Sequence, residues 1–506
     1  MNFYNFTYLV PFALLLCACT SIRHPESQVV IMQTEAPRSM DPADHTATYT
    51  TAVLDPMYEA LTQFDQNLQI QPSLATSWAA NSSGDVWTVR IRGGVTFHDG
   101  TPLNARAVAA SFERLLDPKR GLAGAGVVRR VVSRVAVVDS QTVRFYLRRP
   151  SASFPGLLAI EKIVSPAEDS IGDLGRKAVG TGPYRFSEWK TGEYVLEIRN
   201  DQYWGPKPRY QQLKWIWTSE PALMNMALLA GEVDLVNPLP PIFADALRHD
   251  HRIALMKGES SAVFWIALDT KVKPLDDVRV RQALSYATNR SSLIASQLRG
   301  YGIPAASPLA PADADFDPGI SGYQYNTGKA KELLNAAGYP DGFTLNIAVQ
   351  ESQSNVVQAV AGMWAGVGIT LNIHQMETGV FAQTIFGDPK QKAAAGIQCV
   401  FASWTSSNLD PESQLGSLYR TQSWSPAGAN LGFYSNEKLD GLLDQAGAEL
   451  NAGKRRALYS EAQQIISDDA PHVLLYYARD LAAQRRGLKD FWLFPGGQVE
   501  LASGIQ

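Results

Sequence analysis

Cysteine is nearly absent, with three residues in a chain of 506. That excludes a disulfide-stapled scaffold and a cysteine-rich zinc site. An excess of one charge sign is also missing, since 45 basic and 49 acidic residues leave a net charge of −4. Nucleic-acid binding needs a basic face, and this balance gives no support for one. No apolar run reaches the roughly 18 residues of a membrane span, which excludes a channel or permease. The usual marks of catalysis are missing as well: there is no Gly-x-Ser-x-Gly elbow, no Gly-x4-Gly-Lys phosphate loop and no His-Glu-x-x-His. Gly180-Thr181-Gly182 lacks the third glycine of a dinucleotide fingerprint. No cofactor and no resident metal are expected.

What is present is a globular composition, 45% apolar and 19% charged. At about 150 residues per domain, the length suggests roughly three domains or one large two-lobed body. The N-terminus reads as an address. Leu9 to Cys19 is an apolar stretch too short to span a bilayer and suited to the core of a secretory signal. Leu16-Cys17-Ala18-Cys19 resembles a lipobox, which implies cleavage before Cys19 and lipid on its thiol. Met1 to Thr7 carries no Lys or Arg, a departure from the usual signal. Residues 1–19 are thus expected as a signal peptide and 20–27 as a polar tether.

Beyond the tether, strands and helices alternate, which predicts an α/β architecture. Val29–Met32, Trp87–Arg92, Thr142–Leu147, Tyr194–Ile198, Val263–Leu268, Phe343–Val349, Ile369–Ile373 and Val473–Tyr477 read as strands. Helices are expected at Asn104–Leu116, Ala222–Leu229, Val278–Ser292, Thr327–Ala337, Gln358–Gly366, Lys438–Leu450 and Lys454–Ile466, and Met57–Leu61 suits a helix end. Three polar clusters invite a chemical reading and fit a structural one better. His249 and His251 flank Asp250 in a polar turn. Asp313, Asp315 and Asp317 start like a calcium loop, yet Pro318-Gly319 follows and the twelfth position is Gln324. His98-Asp99 sits where a strand end meets a turn.

The order of the remaining motifs carries a resemblance. Ser39-Met40-Asp41-Pro42 comes first, then Tyr58-Glu59-Ala60-Leu61, Pro72 to Trp78, and Phe97-His98-Asp99-Gly100-Thr101-Pro102 with Phe112-Glu113-Arg114-Leu115. Gly180-Thr181-Gly182-Pro183-Tyr184, Arg199-Asn200 through Tyr203-Trp204, Gly231-Glu232-Val233-Asp234, Asp277 to Leu284, Tyr434-Ser435-Asn436 and Asp469-Ala470-Pro471 follow. Each block alone is weak; their joint order is specific. The chain resembles the bacterial solute-binding proteins of peptide/nickel ABC importers, family 5. It departs from them at Ala105-Arg106-Ala107-Val108 and at Thr288-Asn289-Arg290, both of which read as surface changes. A third departure concerns the ligand. Peptide binders of the family resemble one another in a Trp-x-x-Asp segment whose carboxylate pairs with the peptide ammonium. Here Trp404-Thr405-Ser406 is followed by Ser407 and Asn408. A neutral hydroxyl cannot replace a buried carboxylate opposite a desolvated charge. The expected ligand is therefore neutral or anionic, or a cation held elsewhere.

The resemblance implies a type II periplasmic-binding-protein-like fold, α/β, with two lobes joined by a hinge and an extra inserted domain, three domains in all. Domain I would comprise 28–57, 170–262 and 476–506, domain II 58–169, and domain III 263–475. It implies a non-enzymatic, exported subunit, periplasmic or cell-envelope bound, that closes on a small solute or peptide. The closed form would dock on membrane permease subunits, with ATPase subunits as indirect partners and the binding protein itself a monomer. Trp404, Ser407 and Asn408, with Glu35 and Met40 from the first loop, are the expected cleft residues. A hydrolytic enzyme or a sensory or chaperone protein using the same cleft is the alternative.

Overall fold

The computed structural model describes residues 27–501. The expected signal segment, the tether up to position 26 and Cys19 lie outside the described residues. Among the described residues, no helix is long and apolar enough to cross a membrane.

One mixed sheet of eleven strands organises the chain. Its first half runs Ile369–Met376, Phe343–Gln350, Cys399–Trp404, Ile253–Leu268 and His472–Arg485. Its second half continues through Leu235–Val236, Gln28–Gln33, Gln212–Trp217, Tyr194–Arg199 and Tyr184–Lys190, and the eleventh strand, Gly302–Pro304, pairs with His472–Arg485 off this path. Ile253–Leu268 and His472–Arg485 are antiparallel, 16 and 14 residues long, and they join the two halves. Their pairing is interrupted between Glu259 and Val263, where Ser260 and Ser261 lie out of register. A bulge bends a strand pair and re-aims its side chains. The sequence shows only the apolar stretches at Val263–Leu268 and Val473–Tyr477. The polar residues that prolong both strands, among them Lys257, Glu259, Arg479 and Asp480, mask the remainder.

A separate antiparallel sheet, Ala75–Ala80, Val86–Ile91, Thr142–Leu147 and Val132–Asp139 in spatial order, lies within residues 58–169. It buries its apolar face against the helix Ala105–Leu116. Phe112, Phe145 and Phe154 meet there, with ring centroids 4.8 and 5.2 Å apart. Asn104 starts that helix by accepting from Arg106 N (2.9 Å) and Ala107 N (3.1 Å), and Pro118 follows its end. Only Arg106 of the departing Ala105–Val108 segment is a surface residue; Ala105, Ala107 and Val108 belong to the core.

Two other sequence expectations change. The single helix expected over Val278–Ser292 is two, Val278–Tyr286 and Arg290–Gln297. Apolar spacing continues across the break, but Asn289 caps a fresh start by accepting from Ser292 N (3.0 Å). Thr288 and Arg290 are buried rather than superficial. Thr288 Oγ1 accepts from Trp364 Nε1 (3.0 Å), and Arg290 donates to Leu474 O (2.7 Å) and Tyr323 O (2.9 Å). Met57–Leu61 is not a helix end: the helix Thr48–Leu54 has already finished, and these residues are core turns and a bridge.

Candidate functional site

The motif blocks that carry the resemblance converge on one another, and their work is architectural. Half-buried Glu59 accepts from Thr181 Oγ1 (2.7 Å), Tyr203 OH (2.8 Å) and Trp204 Nε1 (2.8 Å). Burial raises its pKa, and these three donors oppose that shift. His98 Nε2 lies 3.0 Å from Gly182 O, and burial pushes its pKa down to about 4, which fits a neutral structural histidine. A Cβ on Gly180 would sit 2.2 Å from Met57 O, and one on Gly182 2.5 Å from Pro56 O, so only glycine fits. Arg114 is buried between Asp41 and Asp169, bonding the former through both terminal nitrogens and the latter through Nε (3.0 Å). The blocks at Tyr434–Asn436 and Asp469 meet likewise, with Asn436 Nδ2 donating to Asp469 at 2.9 Å.

The other polar clusters disperse. Asp313 accepts from Ala310 N (2.8 Å), Asp315 pairs with Arg455 (2.9 Å), and Asp317 accepts from Gly319 N (2.7 Å). His249 and His251 are exposed, and Asp250 between them pairs with Arg252 at 2.7 Å.

A cavity of about 240 Å³ opens beside the long crossing strands. Five pieces of chain wall it. Gln33 and Thr34 end the first strand, and Thr48, Tyr49 and Ala52 begin the first helix. Asn237-Pro238 follows the short strand Leu235–Val236, Asp480-Leu481 lies on the second crossing strand, and Gly496-Gly497 comes from the C-terminal segment. Arg38 Nε donates to Tyr49 OH (2.6 Å), and the Glu35 side chain reaches the same hydroxyl. Burial pushes the Asp480 carboxyl up to about 7, against the pull of the nearby Ser260 hydroxyl.

The bulged Ser261 connects this wall to the opposite half of the sheet. Its Oγ donates to Ser406 O (3.1 Å) and to Pro495 O (3.3 Å) and accepts from Ser406 N (3.1 Å). The segment that follows Trp404 is therefore held against the crossing strands. Asp410 in that segment accepts from Ser153 Oγ (2.6 Å), next to Phe154 of the smaller sheet's core.

The sequence-predicted residues fall in three settings. Ser407 is exposed, and Trp404 is half-buried against the core of its own half of the molecule. Asn408 is buried, and its Oδ1 accepts from Ser406 Oγ (3.1 Å), so this oxygen is committed to the loop itself. Glu35 is exposed at the cavity's rim beside Tyr49. Met40 is a correction. It is fully buried among Ile31, Val53, Met57 and Tyr58, its carbonyl accepts from Tyr58 OH (3.1 Å), and it does not line the cavity. The reading from sequence missed Tyr49, Asn237 and Asp480. A signal existed for Asp480, a lone carboxylate within the apolar run Leu474 to Ala483.

A sequence profile described as bacterial extracellular solute-binding proteins, family 5 Middle, matches residues 69–426. The chain belongs to this family. It is 31% identical over 465 residues to the glutathione-binding protein GsiB of Pectobacterium atrosepticum, with 90% of each chain covered. GsiB of Escherichia coli (strain K12) is 30% identical over the same length, again with 90% of each covered. Among solved structures, the periplasmic binding protein DppA from Helicobacter pylori in complex with the peptide STSA superposes with a TM-score of 0.77 at 27% identity, covering 94% of this chain and 98% of that one. The protein is thus a substrate-binding subunit of an ABC importer, with the type II binding-protein fold.

Proposed function

We propose that the chain is exported, captures a short peptide of the glutathione class at the cavity on its first lobe with the second lobe closing over it, and hands it unchanged to a membrane permease driven by a separate ATPase. The observation that carries this reading is the cavity beside the crossing strands. Its wall is mainly apolar with a few polar groups, among them Gln33, Tyr49, Asn237 and Asp480, and Pro495 beside its Gly496 is linked through Ser261 to the segment after Trp404. Its volume of about 240 Å³ approaches the roughly 300–1,000 Å³ usual for ligand pockets. It suits one small solute or one end of a short peptide. The domain division is proposed as 28–57, 170–262 and 476–506 against 263–475, with 58–169 as the insert. The two crossing strands, bent at Ser260-Ser261, then form the hinge. Closure requires a ligand that touches both lobes, because only differential affinity shifts such an equilibrium. Glu35 and Ser407 are the exposed contacts expected on the two sides, with Trp404 between core and cleft. Cleavage before Cys19 and its lipidation complete the proposal for the N-terminus, and the relatives' role as binding proteins supports a non-catalytic function.

The test is a thermal-shift screen of the chain from Thr20 onward against glutathione, Met-Leu, the peptide STSA, nickel–histidine, agropinic acid and simple sugars. A ligand specific for the native state adds about 2.7 kcal/mol at one hundred times its dissociation constant. Glutathione is expected to raise the melting temperature. A shift with only a non-peptide solute would replace the cargo, and a shift with none of the solutes would remove the peptide reading.

A further inference from the structure

The cavity wall contains two buried acceptor oxygens with no donor among the described residues, Asp480 Oδ2 and Asn237 Oδ1. Asn237 is 9% exposed, and its Nδ2 donates to Gly497 O at 2.9 Å. That bond fixes the amide's orientation: reversing it would set oxygen against oxygen, so the free atom is an acceptor. Asp480 borders the same glycine, with its Oδ1 3.7 Å from where a Gly497 Cβ would lie. The absence of a side chain at Gly497 leaves the two acceptors facing one space. The Ser260 hydroxyl reaches the Asp480 side chain and lies 3.5 Å from Pro495 O, yet Asp480 Oδ2 is left without a hydrogen bond.

No cation of the protein answers this carboxylate among the described residues. Arg479 and Asp480 are consecutive on a strand, so their side chains leave opposite faces. Lys257 pairs with Leu481 in register, but its ammonium sits over the Tyr301 ring, 5.3 Å from the centroid. Arg38 is exposed and engaged with Tyr49 at the rim. A buried carboxylate oxygen without a cation and a buried amide oxygen, both without a hydrogen bond, cost stability unless something supplies N–H or O–H donors.

We propose that Asp480 and Asn237 together accept the protonated amine of the solute, so that the charge anchor lies on the crossing strand and not at position 407. This rests on the reading of the cavity as the solute site. It resolves the departure at Ser407: the carboxylate missing from the Trp404 segment is matched by one on the wall of the other half of the sheet. The ligand class follows. It is a primary ammonium on a small flexible body, with its polar remainder directed out toward Glu35, Arg38 and Tyr49.

The experiment compares wild type with Asp480→Asn in calorimetric titrations with glutathione and with N-acetylglutathione, whose amine is blocked. Wild type is expected to bind glutathione at least about 30-fold more tightly than the blocked form, the size of effect seen when one partner of a buried charge pair is truncated. Asp480→Asn is expected to lose that preference. Equal binding of glutathione by both proteins overturns the proposal and leaves the solute-binding reading intact. If wild type binds neither compound, the glutathione reading fails, and the anchor is decided with n-propylammonium ion. This ion should raise the melting temperature of wild type but not of Asp480→Asn, and 1-propanol should raise neither. An equal rise in both proteins, or no rise in wild type, overturns the anchor. Circular dichroism of the unliganded variant, expected to match wild type, separates loss of the anchor from loss of the fold.

Discussion

Replacing Glu59 by Ala should loosen the junction between the smaller sheet and the main sheet, and the size of the effect follows from its contacts. Three donors from two distant segments end on this one carboxylate: Thr181 Oγ1 and Trp204 Nε1 on Oε2, and Tyr203 OH on Oε1. A buried donor left without an acceptor costs about 1–3 kcal/mol. The hydroxyls of Thr181 and Tyr203 can rotate toward a water admitted by the truncation, but the indole N–H cannot. The expected loss is about 3–6 kcal/mol. Glu59→Gln provides the control. Its Oε1 can keep Thr181 and Trp204 while its Nε2 donates to a Tyr203 hydroxyl turned to accept, so the loss should stay below about 1.5 kcal/mol. Urea denaturation followed by tryptophan fluorescence measures both, since Trp204 itself reports on the junction. A Glu59→Ala loss under 1 kcal/mol, or a Glu59→Gln variant as unstable as Glu59→Ala, would refute the account of this junction.

Further expectations follow from other contacts. Gly182→Ala places a Cβ 2.5 Å from Pro56 O, a backbone atom that cannot yield as a side-chain tip would, so a loss of about 1–3 kcal/mol in the same urea assay is expected. Arg114→Ala leaves Asp41 buried without its cation and should cost about 3–5 kcal/mol. Asp480→Asn should stabilise the unliganded protein, and the gain should depend on pH. The carboxyl's pKa is raised to about 7 in the fold and is near 3.8 when unfolded, so the folded state binds the extra proton between these values. Stability of the wild type therefore falls as pH rises through this window. The difference between variant and wild type should vanish near pH 3.8 and grow to at most about 4 kcal/mol above pH 7. Melting temperatures at four pH values check this, and a difference independent of pH would contradict it.

The elements legible in the sequence were those whose periodicity and end signals agreed. Asn104 before an amphipathic stretch and Pro118 after it place one helix almost to the residue. Thr142–Leu147 alternates cleanly because one face packs on Phe112 and the other meets solvent. Legibility failed where a tertiary contact overrides local pattern. Arg290 reads as a solvent residue, yet its guanidinium is spent on the carbonyls of Leu474 and Tyr323. The crossing strands look short because polar residues such as Lys257, Glu259, Arg479 and Asp480, none of them fully buried, interrupt the apolar pattern where the strands continue. For the site, the family motifs were visible but hold the scaffold together. Asp480 and Asn237 are 243 positions apart in the chain, and only the sheet brings both to Gly497. Met40 was misplaced because a methionine beside a loop motif looks the same whether it packs inward or lines a cleft.

The central claim, reversible capture of a solute by this chain, is tested most directly by isothermal titration of the chain from Thr20 onward with glutathione, followed by recovery of the ligand. One saturable site and glutathione returned chemically unchanged are predicted. Absence of saturable binding, or recovery of cleaved or otherwise altered glutathione, would contradict it.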